Sequence, residues 1–309
     1  MIFGRSWRGT PPPLTREQVA TRDALRRTVE SLARSPRNVY ERGSLERAAN
    51  EIAAAVPNAT IDRFGNVVCE IAGGDEVIVI GAHYDSVDGS PGADDNASGV
   101  AALIELAHRM RRAKPKRTIR FVSFINEEPP HFTTEQMGSL QYAEAHRGEP
   151  IEAMLSLEML GYYGAERYYP PLLSAIYPKR GDFIAFVGNL ASAALVRRCV
   201  RAFRRHATVP SQAGVLPELI PQVGWSDQWS FWRIGVPALM VTDTALFRNP
   251  HYHGATDLPE TLDYDAMVRV VDGLEAVVRD LAGWSATAVT PSRKRNGRAR
   301  PASTKSPVA

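Results

Sequence analysis

The sequence has little cysteine and no long apolar run. Only Cys69 and Cys199 are present among the 309 residues, and two cysteines are too few for a disulfide framework. No stretch approaches the roughly 20 consecutive apolar residues that a membrane-spanning helix needs. The first residues include arginines but no apolar segment after them, so no secretory signal peptide is visible. We therefore expect a soluble, cytoplasmic globular protein without a membrane span.

Acidic residues are missing from both ends of the chain. From Ala286 onward there are six basic residues and no acidic one, and the first twelve residues add Arg5 and Arg8. The formal net charge is only +3, so the body between these ends holds 29 basic and 34 acidic residues. An acidic body argues against a nucleic-acid-binding face on the folded part. We expect one domain over residues 13–285 and a disordered basic tail over 286–309.

Five short apolar runs alternate with helical patterns along the body. The runs are VIVI at 77, IRFVSFI at 119, AMLSL at 153, FIAFV at 183 and ALMV at 238. Because they are continuous and not alternating, we expect strands that are covered on both faces. The order of strands and helices predicts an α/β fold, a three-layer αβα sandwich with a mostly parallel central sheet.

Local signals add detail to this prediction. The segment TREQ, which begins at Thr15, is a capping box and predicts a helix over 16–34. A second helix is expected from about Ser44 to the residue before Pro57, and a third over 263–281. The segment at 59–73 predicts two short strands that turn near Gly65 and form an antiparallel edge.

Charged and imidazole side chains follow nearly every predicted strand. They are His83, Asp85, Asp94, Asp95, Glu127, Glu128, Glu158, Asp243, His251, His253 and Asp257. Each one alone has an ordinary explanation, such as a helix cap or a solvated charge pair. Together they would lie at the carboxyl ends of the strands, where open α/β sheets bind ligands, and they are the nitrogen and oxygen ligands that suit zinc. The sequence therefore predicts a metal site.

The ordered series resembles a known family. His83-x-Asp85, GADDNASG at 92–99, Glu127-Glu128, Glu158 and His253 with Asp257 are similar to the motifs of the zinc aminopeptidase family. This family includes bacterial leucyl aminopeptidases, glutamate carboxypeptidase II, the transferrin receptor ectodomain and glutaminyl cyclases. The resemblance runs in order across residues 77–265. It implies a zinc-exopeptidase-like fold and a zinc-dependent exopeptidase, with an aminopeptidase as the first hypothesis.

The resemblance also implies roles at a site for two zinc ions per chain. Asp95 would bridge the two metals. His83 and Glu158 would complete one metal site, and Glu128 and His253 would complete the other. Glu127 would be the general base that takes a proton from metal-bound water.

Further residues would support these ligands. Asp85 and Asp257 would each accept the second N–H of a ligand imidazole and so orient it. Tyr252, just before His253, would stabilise the oxyanion, and Asp227 in the segment WSDQWSFW would brace the site.

Two weaker candidates are substrate contacts. His131 lies in PPHFTTEQM, which separates Glu128 from the following Gly-Ser pair and which we interpret as an inserted loop beside the site. Arg248 could bind a substrate carboxylate, although a loop arginine that donates to backbone carbonyls is an equally good interpretation.

Alternative functions remain open at this point. Glu158 stands where peptidases of this family usually have Asp, so a single-zinc, glutaminyl-cyclase-like aminoacyltransferase or deacylase is a second hypothesis. A related carboxypeptidase and deacetylase family inserts a dimerisation domain before the last histidine, and the 95 positions between Glu158 and His253 leave little room for one. A catalytically inactive, receptor-like binding module ranks lower because all five metal ligands are retained. The expected substrate is a peptide or an aminoacyl small molecule, and the oligomeric state is undetermined.

Overall fold

The computed structural model describes residues 5–164 and 180–284. In them, one sheet has the strand order β1-β2-β4-β3-β5-β8-β6-β7. The strands are β1 (Thr60–Ile61), β2 (Val67–Ile71), β3 (Gly74–His83), β4 (Arg117–Phe124), β5 (Ile151–Glu158), β6 (Ile184–Gly188), β7 (Ser211–Val215) and β8 (Ala238–Thr242). The α-helices are α1 (Arg16–Leu32), α2 (Arg42–Ala55), α3 (Gly99–Met110), α4 (Gly138–Ala145), α5 (Ala193–Arg204), α6 (Gln228–Arg233) and α7 (Tyr264–Leu281).

The centre of the sheet is parallel, as the apolar runs predict. Strands β4, β3, β5 and β8 are parallel neighbours, and all five predicted runs form strands. The β1–β2 hairpin pairs antiparallel with β4 at one edge, which confirms the predicted antiparallel edge. Strand β6 is antiparallel to β8, which the sequence did not indicate. Strand β7, with the sequence SQAGV, was also missed because it contains no apolar run.

Both faces of the sheet are covered. In β3, Ile78 and Ile80 point into the larger apolar cluster, which α1, α3, α5 and α7 also help to build. The alternate residues Val77 and Val79 point to the other face, where they join Tyr142 of α4 and Phe231 of α6. A strand that is buried on both faces requires helices on both sides. The predicted three-layer αβα sandwich is therefore confirmed.

The local predictions at the start of the chain also hold. The Thr15 side chain accepts the N–H of Gln18, and the Gln18 side chain accepts the N–H of Thr15, which completes the predicted capping box. Helix α2 begins at Arg42, slightly before the predicted position. Cys69 and Cys199 are buried and unbonded to each other.

The remaining predictions concern membrane spans, the basic tail and the domain boundaries. Across residues 5–164 and 180–284, we find no helix with both the length and the apolar character needed to cross a membrane. The predicted basic tail at 286–309 lies outside the described residues, and the domain boundaries at 13 and 285 stay a prediction.

Helix α7 packs closely against the end of α5 at Gly273. A Cβ atom at this position would lie 2.3 Å from Cε2 of Phe203 and 2.8 Å from Cβ of Ala207. Phe203 is fully buried and packs edge-on against Phe186, so its ring has little room to move. We expect Gly273→Ala to lower the free energy of unfolding by about 1–3 kcal/mol because it overpacks the core.

Urea denaturation followed by circular dichroism measures this change. Gly43→Ala is the matched control, because Gly43 lies in the first turn of α2 and a Cβ there meets no atom within 4 Å. Equal stability of the two variants would contradict the prediction.

Candidate metal centre

Six predicted site residues meet at one edge of the sheet. His83 ends β3 and Glu158 ends β5, while Glu127 and Glu128 lie three and four residues past the end of β4. Asp95 lies in the irregular helical turn Ala93–Ser98, between β3 and α3. His253 lies in the loop after β8, between short turns. The side chains of the first five are buried, and that of His253 is 33% exposed.

The two carboxylate oxygens of Asp95 face two different imidazoles. Its Oδ1 is 3.4 Å from Nε2 of His83, and its Oδ2 is 3.3 Å from Nε2 of His253. Glu158 Oε2 lies 3.3 Å from Nε2 of His83, and Glu128 Oε2 lies 3.4 Å from Nε2 of His253. Asp95 therefore stands between two ligand pairs, which is the arrangement that a bridging carboxylate requires.

Glu127 lies beside the His83 half of this centre. Its Oε2 is 3.8 Å from Nε2 of His83, farther away than the nearest oxygens of Asp95 and Glu158. The ligand atoms of His83, Glu127 and Glu158 nevertheless all lie within 4.8 Å of one another. The same is true of Asp95, Glu128 and His253. Glu127 is thus close enough to accept a proton from a molecule held at this half.

The electrostatics of the centre favour a bound cation. Burial raises the pKa of Glu127 and Glu128 well above the usual range, and neighbouring carboxylates raise it further. Burial opposes the charge of Asp95 as well, but the hydrogen bonds to His253 and His83 outweigh it and lower its pKa. A divalent cation would neutralise the repulsion between these anions and take the place of protons. Imidazole and carboxylate are suitable donors for zinc, so the residues present fit this metal.

Asp85 contacts both the His83 half and the Glu128 half of the centre. Its carboxylate lies 3.5 Å from Nδ1 of His83. It also accepts the backbone N–H of Glu127 at 3.1 Å and that of Glu128 at 3.0 Å. The Asp85 carboxylate therefore fixes the segment after β4 and also faces Nδ1 of His83, while Nε2 of His83 faces Asp95.

Asp257 has contacts that differ from those predicted. Its carboxylate accepts the backbone N–H of Asp94 at 3.0 Å and that of Asp95 at 3.1 Å. In the described part of the chain, the Asp257 carboxylate is hydrogen-bonded to these backbone groups and not to His253. The ring of His253 stacks instead on Tyr252, with centroids 3.8 Å apart. Asp257 therefore fixes the backbone at Asp95.

The segment after β7 supports Glu158. Ser226, which the sequence analysis missed, donates from Oγ to Oε2 of Glu158 at 2.6 Å, and it also contacts Ser156. Its neighbour Asp227 is fully buried, and burial raises the pKa of Asp227 to about 7. The only sequence signal for Ser226 is its place directly before Asp227.

A chamber of about 280 Å³ lies over the centre. It is lined by Asp95, Glu127, Glu128, Pro129, Phe132, Glu158, Trp225, Tyr252 and His253. A second cavity of about 300 Å³ adjoins it and shares Glu158, Trp225 and Tyr252. The walls of this second cavity are mostly apolar and include Phe183 and Met240. The two cavities together form a chamber over the predicted metal ligands with an apolar pocket at its side.

The two weaker substrate candidates lie elsewhere. His131 borders a separate groove with Tyr40, and its neighbour Phe132 lines the chamber in its place. The Arg248 guanidinium is buried and donates to the carbonyls of Tyr162 at 3.2 Å and Phe183 at 2.8 Å. These placements do not support a substrate contact for either residue, because neither side chain lines the chamber.

Known proteins resemble this chain in sequence. The uncharacterized protein YfbL of Escherichia coli is 36% identical over 300 residues, which cover 89% of this chain and 92% of that protein. Leucine aminopeptidase 1 of Trichoderma harzianum is 26% identical over 295 residues, covering 85% of this chain and 69% of that protein. The chain spans 58% of the length of the probable leucine aminopeptidase of Arthroderma otae, which is 26% identical.

Solved structures share the fold. The LapA aminopeptidase of Legionella pneumophila has a TM-score of 0.66 at 20% identity, covering 89% of this chain and 77% of that one. The glutaminyl cyclase of Tannerella forsythia has a TM-score of 0.60 at 20% identity, covering 83% of this chain and 97% of that one. Peptidase family M28 matches residues 66–278, which include every predicted metal ligand. The chain therefore belongs to peptidase family M28, which confirms the predicted family and the predicted metallopeptidase class.

Proposed function

We propose that this chain is a two-zinc aminopeptidase that removes large apolar residues from the N-termini of peptides. The observation that carries the proposal is the position of Asp95, whose two oxygens face two imidazoles. Family membership supports peptide-bond hydrolysis. The apolar pocket beside the chamber supports the choice of substrate.

Each zinc ion would have three protein ligands. His83 and Glu158 would hold one ion, Glu128 and His253 would hold the other, and Asp95 would be shared. Bound zinc would polarise the scissile carbonyl and lower the pKa of water from 15.7 to about 7.

Glu127 is the proposed general base. Its carboxylate lines the chamber, and burial raises the pKa of this group above the ordinary glutamate value. A raised pKa suits a group that takes a proton from the attacking water and then passes it to the leaving amine near neutral pH. Asp85 holds the backbone N–H of Glu127, so the base stays directed at the chamber.

Tyr252 is the proposed oxyanion donor. Its side chain lines the chamber, and its ring is held against His253. Burial, together with the negative charge of Asp95 and Glu128, raises the pKa of the Tyr252 phenol. The phenol therefore keeps its proton at neutral pH and can donate it in a hydrogen bond to the developing oxyanion.

The charge of the site favours a substrate N-terminus. Four carboxylates, those of Asp95, Glu127, Glu128 and Glu158, line the chamber. No lysine or arginine is among the described residues that line the chamber. Such a site attracts the amino group of a peptide and repels a terminal carboxylate.

The apolar pocket is the proposed binding site for the N-terminal side chain. Ala185 and Met240 form part of its wall, and it shares Glu158, Trp225 and Tyr252 with the chamber. Burial of a leucine or phenylalanine side chain there is worth about 1.5–3 kcal/mol. A large apolar side chain in this pocket would leave the adjacent peptide bond in the chamber.

Cyclisation of N-terminal glutamine is the alternative. The fold likeness to the Tannerella forsythia glutaminyl cyclase, which covers 97% of that chain, supports it. The complete second ligand group of Asp95, Glu128 and His253 favours the two-metal hydrolase. Retention of every ligand and of Glu127 also disfavours an inactive binding module.

Replacement of the base tests the proposed mechanism. We expect the wild-type protein to bind two zinc ions and to hydrolyse leucyl anilides. Glu127→Gln should retain both ions but lose about 10²–10⁴-fold in kcat, because it removes general-base catalysis. Elemental analysis and steady-state kinetics measure the two effects.

Glu135→Gln is the matched control, because Glu135 is exposed in the same loop. It should keep both zinc binding and kcat. Near-normal activity of Glu127→Gln would assign the base to another group. One zinc ion per chain, with cyclisation of glutaminyl peptides and no release of amino acids, would favour the alternative function.

A narrower pocket tests the proposed specificity. Ala185 lies on β6 in the pocket wall, so Ala185→Leu fills part of the space. We expect kcat/KM for leucyl and phenylalanyl anilides to fall by about 10-fold or more, because a pocket discriminates by that factor for small changes in fit. The value for alanyl anilide, the internal control, should change little. A parallel loss for all three substrates would argue against this pocket as the side-chain site.

A further inference from the structure

Arg37 lies in the connection between α1 and α2, and its guanidinium group is fully buried. Nε donates to the carbonyl of Tyr84 at 2.6 Å, and Nη2 donates to that of Gly92 at 2.8 Å. Nη1 donates to the carbonyl of Pro91. The backbone N–H of Arg37 donates to Oγ of Ser86 at 3.1 Å, and the backbone N–H of Ser86 donates to the carbonyl of Arg37 at 3.0 Å. One side chain thus holds both ends of the segment 84–92.

This segment connects two parts of the metal centre. It carries Asp85, which fixes the backbone after β4, and it ends three residues before the bridging Asp95. Gly92 has a φ of +63°, and a Cβ there would lie 2.3 Å from the backbone oxygen of Asp95. The backbone is therefore closely packed at this point. A displacement of the carbonyls that Arg37 holds would be transmitted to the shared carboxylate.

The charge of Arg37 also points to the metal centre. A buried arginine usually forms a direct ion pair with a carboxylate. In the described part of the chain, the Arg37 side chain donates to backbone carbonyls instead. Burial of an unpaired guanidinium is costly, and it lowers the pKa of Arg37 to about 10, which still leaves the group charged at neutral pH. The negative charges that act on it most strongly are those of Asp85, Asp257, Asp95 and Glu128. The anions that compensate Arg37 are therefore those of the site.

We propose that Arg37 is a positioning residue of the metal centre, which holds the segment 84–92 so that Asp85 and the shared Asp95 keep the places that two metals need. This inference rests on the proposed function, because it presumes that the centre binds zinc. Metal binding can test this inference without any assay of catalysis.

Two substitutions separate charge from geometry. Arg37→Met removes both the charge and the hydrogen bonds, and Arg37→Lys keeps the charge but cannot contact three carbonyls as a rigid fork. We expect Arg37→Met to weaken zinc binding by about 10–100-fold, the size of effect that lost supporting contacts have at metal sites. Arg37→Lys should show a smaller loss in the same direction. Competition with a chromophoric chelator measures the zinc affinity, and the visible absorption of the cobalt-substituted protein reports the ligand geometry.

Arg269→Met is the matched control. Arg269 is a buried arginine whose side chain donates to the carbonyl of Pro12 and to Thr208, residues that lie outside the chamber. This variant should lose stability but keep the zinc affinity and the cobalt spectrum of the wild type. The comparison therefore separates a loss of general stability from a specific effect on the centre.

The outcomes distinguish the two proposals. A wild-type protein that binds no zinc would overturn the proposed function, and the inference about Arg37 with it. If the wild type binds zinc, and Arg37→Met changes neither the affinity nor the cobalt spectrum, only the inference is overturned. If Arg37→Met does not fold, an unchanged affinity and spectrum in Arg37→Lys would overturn it equally.

Discussion

The rest of the site depends on the concentration of buried carboxylates at one edge of the sheet. Asp95, Glu127, Glu128 and Glu158 are all buried, at a point where water cannot solvate them fully. They belong to two neighbouring groups, His83 with Glu127 and Glu158, and His253 with Asp95 and Glu128. These carboxylates repel one another, and Glu127, Glu128 and Glu158 resist ionisation because they are buried. Cation binding removes this cost in the folded chain only, so metal affinity and folding stability are linked. The supporting contacts of Asp85, Asp257 and Ser226 hold these groups together against their repulsion.

The topology alone predicted that charged residues after the strands would meet, because the carboxyl ends of parallel strands converge whatever path the loops take. The choice of the ligand set among those residues rested on the resemblance to the zinc aminopeptidase family. His83, Glu127, Glu128 and Glu158 follow or end such strands, so their proximity follows from the topology. Residues in loops were harder to assign. His131 was predicted to contact the substrate, but its neighbour Phe132 lines the chamber and His131 borders another groove. The sequence does not indicate which of two adjacent loop residues faces the site.

Side-chain direction also limited the predictions for buried polar groups. Asp257 was predicted to face a ligand imidazole, yet its carboxylate is hydrogen-bonded to backbone in the described structure. For Arg248 the sequence left two interpretations open, a substrate carboxylate or backbone carbonyls, and the structure has the second. A backbone group that needs a partner is invisible in the sequence, because it depends on how distant segments pack. Arg37 was missed for the same reason, since its carbonyl partners lie about 50 positions away in the chain. Strand β7 was missed because half-polar edge strands have no distinctive apolar pattern.

The shared wall between the chamber and the apolar pocket has a consequence for how substrates are discriminated. Glu158, Trp225 and Tyr252 border both cavities, so under the proposed function a side chain that filled the pocket would also displace water from beside the reacting groups. Lower water content strengthens every charge interaction in the chamber. A small side chain would leave solvent in the pocket and weaken those interactions at the moment of bond cleavage. Selection for size would therefore act on the turnover rate as well as on substrate affinity.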